Sequence, residues 1–317
     1  MRITVILCTY NRCRSLRTAL ESLAASILPD SNDWEVLVVD NNSPDQTRDV
    51  VAEFSQRYPA RFRYLFEARQ GKSFALNAGI REGRADVFAF VDDDITVDPW
   101  WLGNLSGAFR ESNCAGAGGR ILPEAGFSPP HWLSAAGRYA LAPLAVFDKG
   151  SEPGELHEPP FGTNMAFRKA VFERHGDFRT DLGPSPGSEI RNEDTEFGRR
   201  VMTAGERLCY VPSAVVYHPV SEVRLRKKYH LAWWFAKGRA DVREFGVSKD
   251  GLRFLGVPTR LLARALAQTW RWSLAIDSSR RFANKLNLWK TCGAIKDCFR
   301  APANRPPTWQ SSSSVRK

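Results

Sequence analysis

Two features of the sequence predict an α/β fold with a mixed, mainly parallel sheet flanked by helices. Over residues 1–120, short apolar runs typical of buried strands alternate with stretches of helical periodicity. The 43% hydrophobic and 25% charged residues of the 317-residue chain are also those of an ordinary globular protein. Strands that alternate with helices form βαβ units, and ligands of such sheets bind beyond the carboxyl ends of the strands.

Each element of the first half follows from its local pattern. Apolar or alternating runs predict four strands, over residues 3–8, 35–39, 62–66 and 87–91. Apolar residues at helical spacing predict the helices between and after them, over residues 15–25, 47–58, 73–82 and 100–111. Asp40 and Asp92 directly follow the second and fourth strands, so both are expected at the same edge of the sheet.

The pattern is interrupted by residues 123–160, which contain seven prolines. We expect this segment to be a long, partly irregular excursion that shapes an acceptor site. The chain then returns to the sheet, and the predicted elements are a strand over 161–167, a helix from 169, a mobile loop over 183–188, a helix over 194–204, and short strands over 208–211 and 214–217. We expect a catalytic domain over 1–220, with halves 1–120 and 121–220.

The remaining residues differ in charge from the catalytic part. Residues 220–317 hold 21 lysines and arginines against 6 acidic residues, whereas residues 1–219 hold 24 against 29. We expect a basic amphipathic helical extension over 221–300 and a disordered tail over 301–317. The basic extension suggests an anionic partner, either a membrane or a nucleic acid.

One stretch of this extension, residues 255–276, has a strong helical pattern. Arg260, Arg264 and Arg271 share one side, and an apolar set occupies the opposite face: Leu261, Leu262, Ala265, Leu266, Trp272 and Ile276. Such a helix either lies on an anionic membrane or packs on the catalytic domain, and both interpretations stay open.

The cellular location is predicted from what the sequence lacks. No apolar run approaches the length of a membrane span, and the apolar stretch at residues 3–8 is too short for a signal peptide. The six cysteines are scattered, without the spacing of a disulfide framework or a zinc site. We expect a cytoplasmic protein with peripheral contact at the cytoplasmic face of the membrane.

The strongest chemical signal is the triplet Asp92, Asp93 and Asp94 at the end of the fourth strand. Carboxylates held side by side repel each other unless a cation neutralises them, and oxygen ligands suit Mg²⁺ or Mn²⁺. His218, at the end of a short strand, is a candidate further ligand, although a lone histidine is more often structural. A solvated acidic loop is the alternative for the triplet.

Other candidates have both functional and structural interpretations. Asp40 either binds a base or ribose or forms a turn after its strand. The segment Asn192-Glu193-Asp194 either caps the next helix or supplies a general base. A basic cluster could neutralise a diphosphate leaving group or form a solvated face, and its members are Arg224, Arg226, Lys227 and Lys228.

Taken together, these segments resemble the family 2 glycosyltransferases. The matching segments, in the order of the family, are VILCTYNR at 5–12, VVDNNSPDQT at 38–47, GKSFALNAGI at 71–80, FVDDDITVDPWWL at 90–102, GTNMAFRK at 162–169 and NEDTEFGRRV at 192–201. The resemblance covers residues 1–220. It implies a GT-A fold and transfer of a sugar from a nucleotide sugar with inversion at the anomeric carbon.

The resemblance also assigns roles to individual residues. The nucleotide-sugar donor, of the UDP, dTDP or GDP type, would be held by Thr9, Tyr10, Arg12, Asp40, Lys72, Asn77, Asp92 and Asp93. Asp94 would bind the divalent metal of the DxD motif, with Asp92 and His218 as further candidate ligands. Asp194 matches the catalytic base, with Glu193 as the second candidate.

These assignments predict an inverting hexosyltransferase acting on a saccharide or lipid-linked saccharide acceptor in surface-polysaccharide or glycolipid biosynthesis. A nucleotidyltransferase and a non-catalytic sugar-nucleotide binder are the alternatives. A dinucleotide-dependent oxidoreductase is disfavoured because no GxGxxG follows the first strand. Nucleic-acid binding is disfavoured because the acidic motifs would repel phosphate.

Overall fold

The architecture is a nine-stranded mixed sheet covered by helices, as described by a computed structural model for residues 1–28, 33–133, 142–247 and 251–299. The strands are β1 (Ile3–Thr9), β2 (Trp34–Asp40), β3 (Phe62–Phe66), β4 (Val87–Asp92), β5 (Thr96–Val97), β6 (Gly116–Pro123), β7 (Gly154–Glu155), β8 (Met165–Arg168) and β9 (Leu208–His218), with a separate hairpin of β10 (Arg253–Phe254) and β11 (Val257–Pro258). The helices are α1 (Cys13–Ala24), α2 (Thr47–Arg57), α3 (Lys72–Glu82), α4 (Trp101–Glu111), α5 (Lys169–His175), α6 (Glu193–Thr203), α7 (Lys227–Phe245), α8 (Thr259–Leu274) and α9 (Ser278–Cys298).

The strand order is β3-β2-β1-β4-β8-β6-β9-β5, and β7 pairs with β9. Pairing is parallel among β3, β2, β1 and β4 and again between β6 and β9, whereas β8 runs antiparallel to both of its neighbours. The prediction of an α/β fold with a mixed sheet and flanking helices is therefore confirmed.

Alternating side chains of the strands fill two layers of core, one on each face of the sheet. In β1, Ile3, Val5 and Leu7 pack with the side chains of α1 and α4, and Ile6 packs on the other face with those of α3. Because both faces are covered, β1, β2 and β4 consist almost entirely of apolar residues, which is the usual character of buried parallel strands.

Two elements differ from the prediction for physical reasons. β6 was not predicted, because glycines fill its first half and strand propensity is low there. β9 is one strand of 11 residues rather than two short ones, with an irregularity where β6 passes from Gly119 to Arg120. A Cβ on Gly119 would lie 2.1 Å from the carbonyl oxygen of Ala214, so the close approach of the two strands requires glycine.

The excursion over 123–160 is irregular as expected, with a short 3₁₀ turn at Ala142–Leu144 and the two residues of β7. Residues 134–141 within it lie outside the described part of the chain. Before this gap, the ring of Trp132 meets Phe282 of α9 and His230 of α7 edge to face, with centroids 4.9 and 5.1 Å away. The excursion is thus packed against the C-terminal helices.

The C-terminal helices form a layered extension. α7 contacts the catalytic part, α9 packs along α7, and α8 packs along α9. α7 and α9 cross at Gly238 and Gly293, where an added Cβ would lie 1.8 Å from the Lys290 oxygen and 2.0 Å from the Phe235 oxygen, respectively. The predicted tail at 301–317 lies outside the described residues. Among the described helices, none has both the length and the apolar character that crossing a bilayer requires.

Candidate active site

Three predicted residues meet at one edge of the sheet because they end neighbouring parallel strands. Thr9 ends β1, Asp40 ends β2 and Asp92 ends β4, and the register places Thr9 opposite Asp40 and Cys8 opposite Asp92. The expected convergence of the candidate residues at the carboxyl edge is therefore observed for the strand-end members.

Asp40 is 3% exposed and accepts two hydrogen bonds. One comes from the backbone N–H of Ser43 at 2.9 Å, which forms the turn that the sequence left as an alternative. The other comes from the hydroxyl of Tyr64 at 2.8 Å, and burial together with this bond raises the pKa of Tyr64 to about 12. The carboxylate is thus fixed in place at the edge where a nucleoside would approach.

Asn41 is a site residue that the sequence analysis did not identify. Its side-chain amide donates to the carbonyls of Glu67 and Arg69 and accepts from the N–H of Gly71 at 2.7 Å. These bonds tie the end of β2 to the loop that leads into α3, whose first residue is Lys72. A buried asparagine after a strand-end aspartate was the available signal.

Lys72 and Asp92 form the centre of the site. The ammonium nitrogen of Lys72 lies 2.6 Å from Asp92 Oδ1, and the hydroxyl of Thr163 donates to Asp92 Oδ2 at 2.6 Å. Although burial opposes the charge, Lys72 and Thr163 hold the pKa of Asp92 well below its usual range. Thr163 comes from the segment after the excursion, 71 residues away in the chain, and its role was not identified from sequence.

Asp93 faces away from this centre. It is 6% exposed, and its oxygens accept from the Thr9 hydroxyl at 2.7 Å and from the guanidinium of Arg12 at 3.2 Å. Burial raises its pKa to about 6, against the opposing charge of Arg12. Its contacts therefore join the loop after β1 to the acidic triplet, while Tyr10 of that loop is exposed.

Asp94 lies between two arginines and a histidine. Arg12 and Arg224 approach its Oδ2 at 3.0 and 3.4 Å, and Nε2 of His218 lies 3.5 Å from its Oδ1. Nε2 also lies 3.0 Å from the guanidinium of Arg224. Since a guanidinium only donates, Nε2 carries the lone pair there. Burial lowers the pKa of His218, against the opposing charge of Asp94, and so favours the neutral ring.

The arrangement of Asp94, His218 and Asp92 can be compared with the ligand requirements of a divalent cation. The lone pair of His218 Nε2 and the carboxylate of Asp94 are donor groups that suit a divalent cation, and the Arg224 guanidinium lies close to both residues here. Each oxygen of Asp92, the other candidate ligand, accepts one hydrogen bond here, from Lys72 or from Thr163. In the described parts of the chain, no group of three or more His, Cys, Asp or Glu side chains is arranged to hold a metal ion.

Asn192, Glu193 and Asp194 enter the site at the start of α6. Asn192 adopts a left-handed conformation (φ 81°), and its side chain bonds to α7 rather than capping its own helix. Asp194 Oδ2 accepts the N–H of Gly162 at 2.7 Å. Glu193 is 4% exposed, with Oε1 3.6 Å from the Lys72 ammonium, and burial and Asp194 raise its pKa to about 7.

Other predicted residues lie elsewhere. Both ends of the Asn77 amide bond to the backbone of Phe178, at 2.8 and 3.0 Å, and none of its described hydrogen bonds reaches the other candidates. In the basic cluster, only Arg224 has described contacts with the acidic triplet. The ammonium of Lys227 lies over the rings of Trp132 and Phe282 instead.

Comparison with known proteins identifies the fold and the protein family. A mannosyltransferase from Pyrobaculum calidifontis, solved with GDP-Man and Mn²⁺, superimposes with a TM-score of 0.64 over 94% of this chain and 87% of its own, at 20% identity. The fold is thus the GT-A fold of nucleotide-sugar transferases, with a helical C-terminal region added. The model of Glycosyl transferase family 2 matches residues 4–176. The chain belongs to that family and is a glycosyltransferase.

Curated relatives extend the similarity beyond the matched segment. The succinoglycan biosynthesis protein ExoM of Rhizobium meliloti is 28% identical over 80% of this chain and 78% of its own length. A glucosyl-dolichyl phosphate glucuronosyltransferase of Haloferax volcanii is 25% identical over 71% of each. Both alignments are longer than the segment matched by the family.

Proposed function

We propose that this glycosyltransferase moves a sugar from a UDP, dTDP or GDP sugar to a hydroxyl of a saccharide or lipid-linked saccharide, with inversion and with a divalent metal. The observation that carries the proposal is that two sets of polar groups lie near Lys72 and Asp92. Asp94, His218 and Arg224 form the cation- and phosphate-binding side, and Asp194 supplies a carboxylate beside it.

On the donor side, Asp40 and the Thr9–Arg12 loop would hold the nucleoside, with Tyr10 exposed at the opening. Asp94 and His218 would hold Mg²⁺ or Mn²⁺, which would neutralise the diphosphate as it leaves. Arg12 and Arg224, which approach Asp94 here, would turn to the diphosphate oxygens. Asp92, fixed by Lys72 and Thr163, would accept a hydrogen bond from the ribose.

On the acceptor side, the hydroxyl oxygen attacks the anomeric carbon while the bond from that carbon to the diphosphate oxygen breaks. Asp194 takes the hydroxyl proton, so the electron pair of the broken bond leaves with the nucleoside diphosphate. The N–H of Gly162 orients the carboxylate at 2.7 Å. Glu193 is a weaker candidate for the base because it is buried behind Lys72.

The acceptor is proposed from the relatives and from the charge of the chain. The two relatives are named for succinoglycan biosynthesis and for a dolichyl phosphate-linked sugar. The basic extension suits peripheral contact with an anionic membrane on its cytoplasmic side, and all six cysteines are free thiols. We therefore place the protein in the assembly of surface polysaccharides or glycolipids.

A nucleotide-binding experiment tests the donor side. UDP, GDP, dTDP and CMP are titrated calorimetrically into the protein with and without Mn²⁺. We expect one nucleoside diphosphate to bind tightly only when Mn²⁺ is present. In Asp94→Ala, added Mn²⁺ should no longer strengthen the binding of that nucleotide. Asp49→Ala, in which an exposed carboxylate of α2 is lost, is the matched control and should bind as the parent. Absence of binding by every nucleotide to the folded protein would contradict the proposal and favour a non-catalytic role.

A further inference from the structure

The outer face of α8 is apolar and faces solvent. Residues at the spacing of one helical stripe are all exposed there, namely Ala263, Leu266, Ala267, Trp270 and Leu274. Leu266 is 73% exposed and Trp270 67% exposed, and Ile276, just beyond the helix, is 99% exposed. No residue of α8 is buried. We call these five side chains and Ile276 the α8 outer stripe.

This stripe is not the face that the sequence pattern selected. Leu261, Leu262, Ala265 and Trp272 are half-buried, and the Lys285 ammonium of α9 lies 5.4 Å from the Trp272 ring centroid. These half-buried members of the predicted apolar face belong to a helix that packs along α9, whereas Leu266 and Ile276 of the same predicted face are exposed. α8 is apolar on two sides, and packing on α9 covers one of them.

The chain on the N-terminal side of α8 continues the exposed apolar surface. Leu252, Phe254 and Leu255 of the β10–β11 hairpin are 81%, 63% and 74% exposed. The hairpin is joined directly to the start of α8 and is held by the N–H of Thr259 donating to the Leu252 carbonyl at 2.9 Å. Large apolar side chains are thus exposed from the hairpin to Ile276. An exposed apolar surface of this kind is unusual unless it binds a partner.

A row of arginines borders the stripe. On a helical projection, Arg260, Arg264 and Arg271 lie on the flank of the outer stripe, and α8 contains no acidic residue. Arg260 and Arg264 are exposed and also line the cavity that α8 forms with α7 and α9. Their guanidinium groups make no hydrogen bond or ion pair with any residue that the structure describes. Arg260 and Arg264, one turn apart, repel each other unless an anion lies nearby. Residues 251–299 as a whole hold nine basic and two acidic residues.

We propose that the α8 outer stripe and the β10–β11 hairpin insert into the surface of an anionic lipid bilayer, with Arg260, Arg264 and Arg271 on the lipid phosphates. Apolar side chains flanked by unpaired arginines match the boundary between acyl chains and headgroups. Trp270 suits that boundary because its ring is apolar and its N–H is polar. The proposal rests on the proposed function only for the identity of this bilayer as the one that carries the acceptor.

Vesicle co-sedimentation of the full chain tests the proposal. We expect binding to vesicles of phosphatidylcholine and phosphatidylglycerol, weak binding to phosphatidylcholine alone, and loss of binding at high salt. Replacing Arg260, Arg264 and Arg271 by glutamine should weaken binding on the order of a hundredfold at low salt, because each arginine near the surface contributes about a factor of five. The matched control replaces Arg14, Arg57 and Arg84, which are exposed on the catalytic part, and should bind as the parent.

Trp270 provides a second test that separates lipid contact from folding. Trp270→Glu should reduce binding by at least roughly tenfold, whereas Ile27→Glu, at an exposed apolar residue of the catalytic part, should not. Trp270→Phe should keep binding but lose the quenching of tryptophan fluorescence by brominated lipid. Equal binding of the parent and Trp270→Glu would overturn the proposal. So would a dimer in sedimentation that Trp270→Glu dissociates, since a second copy would then cover the stripe. Sugar transfer is not measured in either test, so they fail independently of the proposed function.

Discussion

Asp194 and Glu193 are adjacent in sequence but occupy different surroundings. Asp194 is partly exposed and its carboxylate is oriented by a backbone N–H, whereas Glu193 is buried against Lys72. Burial and the charge of Asp194 raise the pKa of Glu193 to about 7. The two neighbouring carboxylates therefore differ in exposure and in hydrogen-bond partners.

The first prediction concerns the base. Asp194→Asn should lower kcat by roughly a hundredfold to ten-thousandfold, because a general base contributes a factor of that order. Its melting temperature should stay near that of the parent, since the amide oxygen still accepts from Gly162. Steady-state kinetics measures kcat, and thermal melting measures the melting temperature. If Asp194→Asn retained most of its activity and Glu193→Gln lost it, the base would be Glu193.

The second prediction concerns the pH dependence of stability. The pKa of Glu193 rises from 4.5 to about 7 in the folded protein, so folding favours its protonated form. This contribution to the free energy of unfolding is complete below about pH 4.5 and is lost as the pH rises through about 7. Glu193→Gln, which stays neutral, should therefore be more stable than the parent at pH 8 by roughly 1–3 kcal/mol and about equal at pH 4.5.

Urea unfolding at the two pH values measures this difference. Glu173→Gln, at an exposed glutamate of α5, is the matched control and should show no such change with pH. Equal stability of Glu193→Gln and the parent at pH 8 would show that folding does not raise the pKa of Glu193.

Among the elements, α7 contacts the residue that directly precedes Glu193 and Asp194. The Asn192 amide donates to Asp241 at 3.0 Å and to Glu244 at 2.7 Å, and its oxygen accepts from Lys237 at 2.8 Å. These three partners hold the left-handed backbone that precedes Glu193 and Asp194. A helix outside the matched segment therefore sets the position of the proposed base.

The third prediction tests this connection. Lys237→Met should lower kcat by roughly tenfold to a hundredfold, with little change in the KM for the donor, because small displacements of a base cost that much. Lys227→Met, on the same helix but over Trp132 and Phe282, is the control and should keep kcat. A fall in kcat of the same size in both variants would indicate a general effect on α7 rather than on Asn192.

Element prediction from the sequence succeeded where the pattern was local. The strands that end at Asp40 and Asp92 are buried apolar runs, so their ends and the edge they share followed from periodicity. Contacts across long stretches of chain could not be predicted, as for Thr163 on Asp92 and Arg224 on Asp94. The outer stripe of α8 was missed because a helix with two apolar sides does not reveal which side its neighbour covers.

In the whole molecule, the parts before and after residue 220 differ in net charge but are joined by many structural contacts. Ala240 of α7 joins Leu182 and Ile190 in a buried cluster, and Arg179 donates to the carbonyls of Arg243 and Glu244. The basic extension is thus attached to the acidic catalytic part through both apolar and polar contacts. We propose that the two parts fold as one cooperative unit.

The fourth prediction follows from this attachment. Calorimetry of the full chain should show a single unfolding transition, since the cluster of Leu182, Ile190 and Ala240 spans the boundary. A chain ending at residue 220 should melt at a lower temperature or fail to fold, because it exposes Leu182 and Ile190. Two separate transitions, with the shorter chain as stable as the first, would show instead that residues 1–220 are an independent domain.

The crossing of α7 and α9 limits which amino-acid substitutions this enzyme can tolerate. Gly238 and Gly293 leave no room for even one methyl group, so any replacement at either position forces the helices apart. Lys237 and Asp241 flank Gly238 on α7 and would move with it. Two residues without side chains, neither of them among the candidate site residues, are therefore expected to tolerate little variation during evolution. A screen for inactive variants would find them among its hits.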